Sequence, residues 1–384
     1  MIKENIVVWN VRGLNARARR NVVRELVSQE HVSLISLQET KLDGCDDRII
    51  LDMLGSSFDY SFLPACNNCG GILLAWKRDV WAASGPNRRE FSLTAKVTHV
   101  ASGEDWWLTN VYGPQGESDK IRFLEEPRSI KQGCPDRWLV CGDFNLIYKA
   151  EDKNNSLLNR RMMGRFRCFL DETELLELHL NGRLYTWSNE RDAPTLERID
   201  RVFASEDWSL LFPDHNLSAL ATECSDHAPL LLRTDCSLPH FKRFRFENFW
   251  TKCEGFLETV AQTWNAPLPW AQADAFRMLD FKLRATAKAL TSWSAKHIGS
   301  VRLQLAIAKE IVLRFDCAQD ARILAPHELA LRRKAKLCLL GLPPFSEQSA
   351  GSGRASRTWQ RGMQIQNFSI CKHAIVAAKV TSVK

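Results

Sequence analysis

Five times between Trp9 and Pro229 an apolar run breaks off on side chains that bind metals or move protons. The places are Trp9-Asn10, Leu37-Gln38-Glu39-Thr40, Cys141-Gly142-Asp143-Phe144-Asn145, Arg198-Ile199-Asp200 and Ser225-Asp226-His227-Ala228-Pro229. Runs of this length suit buried strands, and strand ends are where a rigid sheet can gather side chains from distant sequence positions. The pattern predicts strands at Asn5–Trp9, Val32–Leu37, Gly71–Trp76, Arg137–Cys141, Leu184–Trp187, Arg198–Phe203 and Ala228–Leu232, with a hairpin of Phe91–Val100 and Asp105–Val111 turning near Ser102-Gly103. Helical spacing occurs at Ala16–Gln29 and Arg165–Glu177. Many strands with few helices imply an α/β (α+β) fold, with sheets packed face to face and helices outside.

The character changes after about Asp235. Residues 1–235 hold 29 Lys+Arg against 35 Asp+Glu, a net −6, and residues 236–384 hold 23 against 10, a net +13. A basic back half fits contact with a polyanion, although a solvated helix face gives the same count. Apolar residues at Phe276, Leu279, Leu283, Leu290 and Trp293, then Val301, Leu305, Ala308, Val312 and Phe315, follow a heptad-like rhythm that predicts a helical hairpin, a short coiled coil or a helix pair. From Gly341 the pattern fails, Ser346–Ser356 is Ser/Gly-rich, and Glu347 is the single acid of the last 44 residues, which predicts a disordered tail. The expected division is therefore 1–235, a globular domain; 236–340, a basic helical connector; and 341–384, the tail.

No run of eighteen apolar residues exists, so a membrane span is not expected. The opening MIKENIVVWNVRG has too short an apolar core for a signal peptide, and the protein is expected inside the cell, in nucleus or cytoplasm, rather than secreted. The twelve cysteines are scattered, and the close pair Cys66 and Cys69 lacks the second pair that a zinc ribbon needs; a reducing compartment follows.

Each polar strand end has a functional and a plain reading. Glu39 is a metal ligand or a surface acid that caps a helix. Asp143 and Asn145 sit at i and i+2 and face one pocket, or form an Asx turn. Asp200, inside a buried strand, needs a partner, and His227 is the obvious one. Tyr112 ends Leu108–Val111 and is either core or a donor to a phosphate oxygen. Hard oxygen donors without a Cys/His cluster suit Mg²⁺ or Mn²⁺, and the set as a whole suits phosphodiester hydrolysis.

The segments VVWNVRGLN, SLQETK, NVYGP, LVCGDFN, TWSNE, ERIDRVFA and CSDHAPLLL, in this order, resemble the endonuclease/exonuclease/phosphatase superfamily over about residues 1–235. They resemble most the apurinic-like endonuclease domain of plant LINE-type non-LTR retrotransposons. The resemblance implies a four-layer α/β sandwich of two mixed sheets flanked by helices. It also implies roles. Glu39 would bind the divalent metal with Asn10 and Asp226. Asp143 would orient or deprotonate the attacking water, and Asn145 would hold that water or the phosphate. Tyr112 and His227 would contact the scissile phosphate, with Asp200 fixing His227. Thr186 and Asn189 would lie near the DNA backbone, and Trp187 would be core or minor-groove packing. Repair enzymes of this kind usually carry an acid where this chain has Arg12, which argues against repair and a second metal at that corner and for a phosphate grip. FKRFRFENFWTKCEGFLETVAQTW resembles the segment that leads toward reverse transcriptase, so the chain reads as an element copy truncated before the polymerase.

The function expected is a Mg²⁺-dependent DNA endonuclease that nicks one strand and leaves a 3′-hydroxyl, with DNA as partner and element RNA as a further partner of the basic half. The alternatives are a phosphatase acting on a phosphoinositide or a nucleotide, and an inactive remnant. The sequence carries no signal for oligomeric state.

Overall fold

Alternation along the strands decides which layer each side chain enters. In β1 (Asn5–Asn10), Ile6 and Val8 enter one core cluster while Val7 and Trp9 enter another. Successive strand side chains point to opposite faces, so a strand apolar on both faces must be covered on both. Here one face meets a second sheet and the other meets helices.

In this computed structural model, residues 2–66, 69–134, 136–235, 250–251, 255–267, 275–297 and 299–340 are described. After β1 come α1 (Arg17–Gln29), β2 (Val32–Gln38), α2 (Asp47–Leu54), β3 (Phe58–Cys66), β4 (Cys69–Lys77), β5 (Trp81–Arg88), β6 (Ser92–His99), β7 (Asp105–Tyr112), α3 (Glu117–Lys131) and β8 (Trp138–Asp143). Then follow α4 (Arg160–Thr173), the short strands β9 (Leu176–Glu177), β10 (Leu180–Asn181), β11 (Trp187–Ser188) and β12 (Leu196–Glu197), β13 (Asp200–Ala204), α5 (Glu206–Leu211), β14 (Asn216–Ala219) and β15 (Leu230–Arg233). The remaining helices are α6 (Phe256–Trp264), α7 (Ala275–His297), α8 (Gly299–Ala321) and α9 (Pro326–Leu339).

A seven-stranded sheet runs β10-β14-β15-β1-β2-β4-β3, and a six-stranded sheet runs β5-β6-β7-β8-β13-β9. Both are mixed, with β1–β2 and β7–β8 parallel among antiparallel neighbours. Ile6, Val8, Leu34, Leu74, Leu108, Leu139 and Val202 fill the space between the sheets. Val23, Leu26 and Val27 of α1 and Ile50 and Met53 of α2 cover the outer face of the first sheet. Phe123 and Leu124 of α3 and Phe166 and Phe169 of α4 cover the second with Phe144 and Phe203. The result is the expected α/β sandwich of two packed mixed sheets flanked by helices.

Register then sets the site. β7 and β8 pair Tyr112 with Asp143, and β8 and β13 pair Asp143 with Asp200, so three strands present polar ends in one row. The β7–β8 approach is so close that a Cβ on Gly142 would stand 2.0 Å from the Val111 carbonyl oxygen, at a φ of +136° that side chains rarely adopt. Gly142→Ala should therefore cost about 3 kcal/mol or more. Urea unfolding reads this directly, and an unmoved midpoint would refute it.

The structure departs from the sequence reading in places. α3 has no counterpart in the sequence reading: its buried face (Phe123, Leu124, Pro127, Ile130) includes a proline and is hidden among charges. The second helix starts at Arg160 under the Asn159 cap and ends at Thr173, earlier than expected at both ends. β3, β5 and α2 have no counterpart in the sequence reading; β5 is mostly exposed beyond Trp81, with small residues and a Gly-Pro pair, and so lacks a strand signature. Leu184–Trp187 shrinks to the pair Trp187–Ser188. Cys66 and Cys69 lie opposite one another in β3–β4, and Cys66 is a free thiol.

Among the described residues the chain divides into two compact units: 2–235 with 310–340, and those between 250 and 309. In the second, Leu290 and Trp293 of α7 pack on Trp250 and on Phe256 of α6, while Phe276, Leu279 and Leu283 stay exposed, so among the described residues the heptad stripe forms no continuous seam. The aromatic and basic stretch before Trp250 and the tail from Gly341 lie outside the described residues. Among the described residues no helix is long and apolar enough to cross a membrane.

Candidate active site

The row of strand ends from both sheets closes on one buried centre. Asn10, the last residue of β1, is fully buried, and its Nδ2 donates to Glu39 Oε2 at 3.2 Å and to Asp143 Oδ2 at 2.8 Å. It thereby ties the two sheets together at their rim. Glu39 follows β2 directly and has a left-handed φ of +51°. Leaving the strand in that conformation turns the carboxylate into the centre instead of along the sheet; the cost is of order 1 kcal/mol or more. Glu39 Oε1 meets Lys41 Nζ at 3.0 Å and Arg12 Nε at 3.6 Å. Arg12 reaches Asp226 Oδ2 as well, at 3.4 Å, and so lies between two carboxylates.

Asp143 ends β8 and is buried. Its Oδ1 accepts from the Asn145 backbone N–H at 2.8 Å, an Asx turn of the kind the sequence suggested, and Asn145 Nδ2 donates to the Gly113 carbonyl at 2.6 Å. These bonds are the plain reading of Asp143 and Asn145. Gln115 Nε2 donates to Asn145 Oδ1 at 2.8 Å. A Cβ on Gly113 would lie 2.1 Å from the Phe144 carbonyl oxygen, so only glycine allows this approach.

His227 Nδ1 is 3.0 Å from both oxygens of Asp200, and its Nε2 lies 4.0 Å from Asp143 Oδ2 and from Asp226 Oδ1. A ring nitrogen of His227 and one oxygen each of Asp143 and Asp200 fall within 4.8 Å of one another. Burial opposes the imidazolium, but the charges of Asp200 and Asp143 outweigh it and raise the His227 pKa. Burial, then the charge of Asp200, pushes Asp143 up, against His227 and the Asn10 donor. Burial and then the charges of Glu39 and Asp143 raise the Tyr112 phenol, which keeps its proton and donates to Glu39.

Other predicted residues support these rather than line the centre. Thr186 is buried, and its Oγ1 accepts from the backbone N–H groups of Ile199 and Asp200 at 3.1 and 3.0 Å, fixing the strand that carries Asp200. Asn189 Oδ1 accepts from the N–H groups of Thr195 and Arg191 within its own loop. Trp187 is half-buried, donates from Nε1 to Asp226 Oδ2 at 2.9 Å, and bridges to His227 through the backbone. Sequence reasoning passed over Lys41 and over Ser225, whose hydroxyl donates to the Asn10 carbonyl at 2.8 Å and accepts from the His227 N–H at 3.1 Å. Lys120 was missed too: burial lowers its pKa against the charges of Glu197 and Asp143. A lysine or a serine carries no local signal of this kind, since only folding brings it beside an acid.

Residues 7–227 match the Endonuclease/Exonuclease/phosphatase family. Enzymes of that family typically depend on a divalent cation, and the donors here fit one. Asp143 and Asp200 offer hard oxygen atoms within 4.8 Å of a His227 ring nitrogen, and Asn10 ties Glu39 to Asp143, around a centre where burial and mutual repulsion already push one carboxyl up. An exodeoxyribonuclease of Bacillus subtilis (strain 168) is 24% identical over 255 residues, covering 59% of this chain and 98% of that protein. Among solved structures, the AP endonuclease LMAP from Leishmania major aligns with a TM-score of 0.49 and 14% identity over 61% of this chain and 88% of that one. The endonuclease domain of TRAS1, a telomere-specific non-LTR retrotransposon, aligns with a TM-score of 0.46 and 13% identity over 60% of this chain and 97% of that one. The match at residues 7–227 takes in all five polar strand ends and more than half of the chain, which therefore belongs to the Endonuclease/Exonuclease/phosphatase family and is a hydrolase of the nuclease and phosphatase kind.

Proposed function

We propose that the protein is a Mg²⁺-dependent DNA endonuclease of retrotransposon origin, with Mn²⁺ as a substitute, that nicks one strand to leave a 5′-phosphate and a 3′-hydroxyl. The observation that carries the reading is the convergence of Asn10, Glu39, Asp143, Asp200 and His227 on one buried centre with an imidazole held charged between two aspartates. Glu39 is the metal ligand, with Asn10 and Asp226 as its neighbours in the shell. A bound cation supplies charge neutralisation at the phosphate and the leaving oxygen.

The chain's own groups do the rest. Asp143, a carboxylate whose affinity for protons is raised, accepts a proton as water attacks phosphorus. Asn145 orients that water or a phosphate oxygen. The new bond is water oxygen to phosphorus, the bond lost is phosphorus to O3′, and O3′ leaves as the 3′-hydroxyl by taking a proton from solvent water. His227 and Tyr112 donate to the non-bridging oxygens, where charge develops. Asp200 fixes the imidazole and holds its charge. Arg12, 42% exposed at the side chain, is free on its outer side to grip a flanking phosphate. The net +13 of residues 236–384 supplies salt-sensitive affinity for DNA, and for element RNA, that a net −6 domain lacks.

A supercoiled plasmid is the test. Conversion to the nicked circle with Mg²⁺, none with EDTA, and no phosphate release from inositol phosphates or nucleotides are expected. Phosphate release from the small molecules without nicking would replace the nuclease by a phosphatase.

A further inference from the structure

The second half of α8 and the whole of α9, more than seventy residues beyond β15, belong to the same compact unit as the sandwich. They grip one loop at both ends. At its start, Arg183, buried, pairs with Asp316 at 3.4 Å and Asp320 at 3.7 Å, and the Leu184 N–H donates to Asp320 Oδ2 at 2.8 Å. At its end, Glu190 accepts from Lys336 and, at 3.4 Å, from Arg332, and Arg333 pairs with Asp192 at 2.6 Å. Arg332 also donates to Asp316 at 2.7 Å, which joins the two grips through a buried ion pair.

The middle of that loop holds the site. Thr186 accepts from the Asp200 N–H, the Ala228 N–H donates to the Thr186 carbonyl, the Ser188 N–H donates to the Asp226 carbonyl, and Trp187 donates to the Asp226 carboxylate. Every hydrogen bond that ties 186–188 to Asp200 and 226–228 therefore lies between two clamps made by α8 and α9. A cavity of about 10 Å³ is lined by Asp226 and His227 together with Asp316, Arg332 and Lys336.

We propose that α8 from Glu310 onward and α9 are a brace for the active site: Asp316, Arg332 and Lys336 are positioning residues that hold the 183–192 loop, and through it Asp200, Asp226 and His227, in working geometry. The inference rests on the nuclease reading above for its kinetic arm only. Lys336 is the residue to change, since it lies at the edge of the network and its substitution leaves the buried Asp316–Arg332 pair in place.

In the full chain, Lys336→Glu should lower kcat for plasmid nicking between about 10- and 100-fold, the cost of small misplacements of reacting groups. KM for DNA and the melting temperature should hold. Hydrogen exchange at the 186–188 and 227–228 amides should speed up. Lys336→Arg, which keeps a cation against Glu190 and leaves Arg332 its partner, should keep both near the values of the unaltered chain. A raised KM with unchanged kcat would show that α9 meets DNA instead of bracing the loop and would overturn the proposal, as would a Lys336→Arg variant no better than Lys336→Glu. Should the unaltered chain fail to nick, the nuclease reading falls. The exchange arm still decides the brace, and unchanged protection at 186–188 in Lys336→Glu would sink it.

Discussion

Replacing His227 by alanine is expected to slow plasmid nicking by about 10²–10⁴-fold, the range over which a positioned proton-transfer or charged donor group contributes. The imidazole is buried, held by Asp200 at 3.0 Å and aimed at Asp143. Its removal takes away the one cationic donor flanked by both aspartates and leaves those acids facing each other, so some loss of stability accompanies the kinetic loss. Asp200→Asn separates the two: the ring keeps a partner but loses the charge that holds it protonated, and the loss should be smaller. Quench-flow or gel-based initial rates with folded variants settle the matter. An unchanged rate in His227→Ala would remove the imidazole from the chemistry.

Glu39→Gln is expected to weaken binding of Mn²⁺, followed by electron paramagnetic resonance, by at least the roughly 10–100-fold that follows loss of even a supporting group at a metal centre. Nicking should fall with it. The amide keeps the volume and can still accept from Asn10, but it gives up the charge that Arg12 and Lys41 now face. Those two cations would then repel an incoming metal with no acid between them. Lost nicking with Mn²⁺ affinity intact would deny Glu39 any part in metal binding.

Much of this centre is legible in the sequence because it stands on strands. A side-chain pattern that stops on Asn10, Glu39 or Asp143 says both that the strand is buried and that its end is polar, whereas Asp200 proves to open β13 instead of closing a strand. His227 can be paired with Asp200 from the sequence alone, since a buried acid needs a partner; the structure sets them 3.0 Å apart. Less legible were segments whose burial is one-sided or whose charges mask it. α3 hides Phe123, Leu124 and Ile130 behind acids, bases and a proline, and β5 keeps only Trp81 buried. Gln38 and Asn110, joined at 2.7 Å between the sheets, look like ordinary strand polar residues until the two faces meet.

The chain by itself determined which residues end strands, which faces are apolar, and that acids, amides and one histidine crowd those ends. Tertiary structure alone decided that Tyr112, Asp143 and Asp200 share one register row, that Arg12 and Lys41 turn toward Glu39, and that Asp316 meets Arg183 across 133 residues. The division has a physical cause. Alternation and strand ends are local, fixed within a few residues by backbone geometry. Register between strands and the partner of a buried charge depend on which distant surfaces pack together, and many sequences with the same local pattern could pair otherwise.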